Sequence, residues 1–113
     1  MSTSMDERAL PTILKVATRA HAIQVELSDG RTILLPIDWY PRVAAATVKE
    51  RAHWRLIANG AGVHWVDLDE SVSVENILQG RPSGESQHSF QKWIDARAAH
   101  PPARARQSRT AAR

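Results

Sequence analysis

The sequence has no cysteine, which excludes disulfides, thiolate metal sites and cysteine nucleophiles. It has no apolar run near the roughly 18 residues that span a bilayer. Its first stretch, MSTSMDERALP, is polar and carries both charge signs. It lacks the basic start and apolar core of a secretory signal, so a cytoplasmic protein is expected. Phenylalanine and tyrosine occur once each, against four tryptophans. Also missing are HExxH, a phosphate-binding glycine loop, a nucleophile elbow and a Ser-His-Asp signature. These gaps argue against an enzyme and imply no required metal or cofactor.

What remains is enough for one domain. The chain has 113 residues, of which 42% are apolar. Its charge is uneven. Residues 1–95 hold 10 Lys/Arg against 12 Asp/Glu, a net of −2, whereas residues 96–113 hold five Arg and no acid. The basic isoelectric point therefore belongs to the C-terminal end. The mildly acidic body argues against a broad nucleic-acid surface.

Periodicity predicts a small α+β fold: an antiparallel sheet built from hairpins, with short helices packed on it. TILKVAT (Thr12–Thr18) can form a first strand. In AIQVELS, Ile23, Val25 and Leu27 alternate with polar residues, the period of a half-buried strand. Asp29-Gly30 signals a hairpin, with RTILLP (Arg31–Pro36) as the returning strand. A two-residue loop there would set Val25 against Leu34 and Leu27 against Thr32. Ile33 and Leu35 would then fall on the opposite face, which would also be covered. Asp38 is placed to cap a first turn near Pro41. Thr47 and Glu50 have capping-box spacing for a helix to about Trp54. RLIANGAGVHWV reads as a second hairpin, turning on NGAG. Ser73 and Gly80 bracket a short helix carrying Val74, Ile77 and Leu78. Phe90, Trp93, Ile94 and Arg97 have helical spacing up to about Ala99, before Pro101-Pro102. The domain is thus expected over residues 12–99, with a flexible leader over 1–11. The Arg-rich tail over 100–113 is expected to be disordered, because ARARQSRTAAR (103–113) holds no apolar residue larger than alanine.

The most chemical stretch is GVHWVDLDE (Gly62–Glu70). His64, Asp67, Asp69 and Glu70 could offer nitrogen and oxygen ligands to a divalent ion. The spacing matches no metal motif, and adjacent His64 and Trp65 on a strand face opposite sides. The favoured reading makes Asp67–Glu70 a strand-to-helix corner whose side chains satisfy loose backbone N–H groups.

Together, LSDGRTILLPIDWYPRVAAAT and LIANGAGVHWVDLDESVSVENILQG resemble the bacterial DUF2442 family, a domain of unknown function. Asp29-Gly30-Arg31, Pro36 to Arg42, Glu50-Arg51, Gly60 to Trp65, Leu68 to Glu70 and Ser73 to Gly80 carry the likeness. Tyr40, in place of the usual Phe, and Val66-Asp67 are mild departures. The resemblance implies a small α+β fold and no particular reaction. It also implies that some members pair with a second small protein in toxin–antitoxin-like modules.

Two functions are therefore weighed. The first is a non-catalytic adaptor, antitoxin-like, binding another small protein encoded by a neighbouring gene. Its expected partner surface comprises Tyr40, Arg42, Trp65, Asp67, Asp69 and Glu70, because aromatics and Arg dominate binding hot spots. The second is a nucleic-acid-binding regulator that uses Arg104, Arg106, Arg109 and Arg113 on phosphates. Arg51 and Arg55 are further phosphate candidates.

Overall fold

The computed structural model describes residues 10–99. The leader up to residue 9 and the tail from residue 100 lie outside the described residues.

Six strands form two antiparallel sheets rather than one, ordered β1-β2-β3 and β4-β5-β6. The first sheet is β1 (Ile13–Thr18), β2 (Ala22–Leu27) and β3 (Thr32–Pro36). The β2–β3 hairpin forms as expected, but its register is shifted by one residue. Val25 lies opposite Ile33, and Gln24 opposite Leu34. The loop holds three residues, because Leu27 N–H donates to Arg31 O and Gly30 N–H donates to Leu27 O. Gly30 takes φ +96, where a side chain would be strained, so the Asp-Gly pair closes a longer turn than the two-residue type. Asp29 accepts from both the backbone and the guanidinium of Arg31 and fastens that turn. One residue of slip exchanges the faces. Leu35 is buried, whereas Leu34 is 61% exposed, on a face expected from the sequence to be covered. In β1 a bulge between Ile13 and Lys15 lets Ile13 and Val16 both point inward and turns Leu14 out.

A 3₁₀ turn (Ile37–Trp39) leads to α1 (Pro41–Ala44), with Pro41 at its first position. Asp38 does not cap it; Tyr40 is the capping residue and makes no side-chain bond to the helix. In α2 (Val48–Ala52) the Thr47–Glu50 capping box is complete. Trp54, expected at the end of that helix, instead opens β4 (Trp54–Ile57). The second sheet continues through β5 (Gly62–Trp65) and β6 (Glu70–Ser73). The residues after Trp65 are therefore a turn between two strands, not a corner into a helix. Ser73 ends β6 and caps α3 (Val74–Gln79), which Gly80 closes in a left-handed conformation. A segment without regular structure then reaches α4 (Gln87–Ala99).

Both sheets contribute to one apolar cluster. Ile13, Val25 and Leu35 of the first join Val63, Trp65 and Val72 of the second, with Val43, Leu68 and Ile77 from between. Gly60 sits where the sheets meet. It takes φ +89, and a Cβ there would come within 2.8 Å of Thr12 Cβ, so only glycine allows this approach. No residue of α4 is fully buried, and Trp93 is its side chain packed against this core.

Candidate functional site

The turn after Trp65 is built on two buried anchors. Trp65 is 1% exposed, and its indole N–H donates to Arg51 O at 3.1 Å. Leu68 is fully buried. Between and beyond them the chain must turn outward, so Val66, Asp67 and Asp69 are exposed. Asp69 takes φ 51, a left-handed conformation that Asp tolerates better than most residues. Arg42 Nη1 donates to Leu68 O at 2.9 Å and holds the turn from beneath.

The residues singled out in sequence now separate. Trp65 and Tyr40 (2% exposed) belong to the core, so neither is available to a partner; this corrects their assignment to the binding surface. Both polar tips are satisfied inside, Tyr40 by donating to Arg81 O at 3.3 Å. An amphipathic aromatic beside a turn serves as a plug as readily as an anchor for a partner. Arg42 is half-buried and committed internally. It donates to both carboxylate oxygens of Glu85, the shortest contact being 2.7 Å. Asp67 and Asp69 remain exposed on the turn, and Glu70, half-buried, follows them as the first residue of β6.

Nor does the stretch assemble into a metal site. His64 Nδ1 lies 2.7 Å from Ser71 Oγ, and Asp67 is held by His53 Nδ1 at 2.8 Å. Among the described residues no group of three or more His, Cys, Asp or Glu side chains is placed to hold a metal ion.

A charged clamp, not visible in the sequence, joins α4 to the body. At one end Glu85 receives Arg42 and the Ser89 hydroxyl. At the other, Arg97 donates to both oxygens of Glu50, at 2.9 and 3.1 Å. Trp93 lies between them, with the Arg42 guanidinium 5.3 Å and the Arg97 guanidinium 4.5 Å from its ring centroid. Arg97 therefore does not belong with the tail arginines. Arg51 is also occupied, donating to Val43 O and Ala44 O at the end of α1. Only Arg55 of the expected phosphate contacts in the body stays exposed and outside the described ion pairs. Helical spacing of Trp93 and Arg97 hinted at one half of the clamp. The Arg42–Glu85 and Arg97–Glu50 pairs are 43 and 47 residues apart and leave no local signal.

The carboxylates respond differently. The Arg42 hydrogen bonds hold Glu85 below the usual range, against the opposing effect of burial. For Glu50, burial raises the pKa, but Arg97 and the Thr47 backbone outweigh it, and the net shift is downward. Burial raises Glu70, reinforced by Glu85 and Asp69 and opposed by Arg42. A lowered folded pKa gives stability that is complete above the ordinary carboxylate range and is lost as pH falls through the lowered value. Below about pH 4, amide protection in α4 should therefore fall before that of the sheets. Simultaneous loss of both in a hydrogen-exchange series would contradict this.

The geometry defines a small α+β protein: two three-stranded antiparallel sheets on one core. The chain belongs to the family described as a protein of unknown function, DUF2442, whose model matches residues 16–83. Two solved structures are similar, each with a TM-score of 0.59. One is a crystal structure of a protein of unknown function from Rhodospirillum rubrum ATCC 11170. It is 20% identical and is matched over 68% of this chain and 95% of its own. The other is a solution NMR structure of an uncharacterised protein from Chromobacterium violaceum. It is 27% identical and is matched over 90% of this chain and 87% of its own. No curated protein matches the chain. No helix among the described residues is long and apolar enough to cross a membrane.

Proposed function

We propose that this protein is a small non-catalytic adaptor that binds a basic protein partner through the turn Val66–Glu70, in the manner of an antitoxin. The supporting observation is the turn itself. Its exposed acids are carried on a backbone held by Leu68 in the core and by the Arg42 bond to Leu68 O. A surface ordered before the encounter avoids part of the entropy cost of binding. Exposed Asp67 and Asp69 supply negative potential, and Val66, 41% exposed, supplies apolar contact. Such charges mainly steer association. Asp69→Asn combined with Glu70→Gln should slow association with the partner severalfold, and the difference should shrink as salt rises. Equal association rates for the two proteins at low salt would remove the turn from the interface.

A second reading rests on the sequence after residue 100, where Arg104, Arg106, Arg109 and Arg113 lie among no acids. Arg42, Arg51 and Arg97 make internal bonds, so nucleic-acid affinity would come from these four. Deleting residues 101–113 should then flatten the salt dependence of DNA binding by up to about 0.9 per arginine removed. An unchanged slope would exclude the tail and leave Arg55 as the exposed candidate.

A further inference from the structure

The outer face of the second sheet carries a row of polar side chains that the adaptor reading does not use. Arg55 on β4 lies opposite His64 on β5, and His64 lies opposite Ser71 on β6. Directly opposed residues share a face, and alternate residues point the other way. Val63, Trp65 and Val72 are buried, so this row points away from the core. Arg55 and Ser71 are exposed, with His64 between them half-buried. His64 Nδ1 is 2.7 Å from Ser71 Oγ. With the Ser71 hydroxyl donating to Nδ1, the imidazole carries its proton on Nε2 and presents it outward as a donor.

The next row along the same face is Ile57, Gly62 and Ser73. Gly62 contributes no side chain, and the Ile57 side chain lies against it, 3.2 Å from where a Cβ would stand. A shallow cavity of about 330 Å³ lies there, lined by Ile57, Ala58, Ala61, Ser71 and Asn76 among others. Ser71 belongs both to this groove and to the cationic row. Neither row contains a carboxylate.

We propose that this face is a binding site for a small organic anion. Its phosphate or carboxylate oxygens are received by Arg55 and by His64 Nε2, whose ring the Ser71 hydroxyl orients, and its short apolar body lies in the groove beside Ile57 and Ala61. A guanidinium and an imidazole N–H from two adjacent strands match the several lone pairs of such a head group. The apolar and amide lining of the groove selects an organic body over the bare ion. The site is distinct from the acidic turn and does not depend on its role.

The test is an amide-shift titration of the full-length protein by NMR with phenyl phosphate, phenylacetate, inorganic phosphate and benzyl alcohol. At least one of the first two should shift the amides of residues 55–64 and 71–76 saturably, with a Kd on the order of 1 mM. The tighter of the pair identifies the head group. Inorganic phosphate and benzyl alcohol should each bind about tenfold more weakly, because each lacks one half of the ligand. Arg55→Gln should weaken binding of the preferred anion about tenfold. Arg55 is exposed, so this variant keeps its fold, and the same spectrum reports it. Absence of saturable shifts, shifts confined to residues 100–113, equal binding of inorganic phosphate or benzyl alcohol, or unchanged affinity in Arg55→Gln would each overturn the proposal.

Discussion

Trp65→Ala is expected to destabilise the protein by about 3 to 5 kcal/mol, the cost of removing a large aromatic from a closed core. Trp65 is among the largest fully buried side chains, and its indole N–H satisfies Arg51 O near the end of α2. Alanine would leave a cavity between the sheets and an unpartnered carbonyl. For a domain of this size the loss is a large share of total stability, so thermal unfolding should move down by well over ten degrees or lose cooperativity. Trp65→Phe should recover most of the packing but not the hydrogen bond. If Trp65→Ala instead kept its melting temperature and lost only partner binding, Trp65 would be an interface residue after all.

Arg42→Ala should cost about 2 to 4 kcal/mol, because it leaves a carboxylate unpaired where little water reaches it. The Glu85 side chain is 7% exposed and receives Arg42 through two nitrogens. The same substitution removes the Leu68 O contact and one guanidinium from Trp93. Arg42→Lys keeps the charge but not the planar fork, so it should recover only part of the loss. Arg55→Ala is the control: an exposed arginine outside the described ion pairs should change stability by no more than about 0.5 kcal/mol. Urea unfolding of the three variants measures the contrast. Equal values for Arg42→Ala and Arg55→Ala would mean that the clamp contributes nothing.

Local features of the fold were legible in the sequence because their chemistry is local. The Thr47–Glu50 box, the Ser73 and Gly80 caps and the NGAG hairpin each depend on residues within a few positions of one another. The Asp29-Gly30 hairpin was legible as a hairpin but not in register. Two- and three-residue loops share the same Asp-Gly signal, and choosing between them decides whether Leu34 or Leu35 is buried. β6 was missed because ESVS is short and mostly polar, and only its pairing with β5 makes it a strand. The acidic turn was found as a cluster of charges. How the turn is held was not, since Arg42, which donates to Leu68 O, and Glu85, which engages Arg42, are distant from it in sequence. For the same reason Tyr40 and Trp65 were read as contact residues. Composition favours aromatics at both cores and interfaces, and only tertiary placement separates the two.

The adaptor account is tested most directly by co-expressing the protein with the products of the genes that flank its own and running the purified material on a sizing column. The account predicts that one of these products co-elutes with it as one complex. It also predicts that Asp67→Asn, Asp69→Asn and Glu70→Gln together release the partner at moderate salt while the circular dichroism spectrum is unchanged. Separate elution of the wild-type proteins, or a complex that survives all three substitutions, would contradict it.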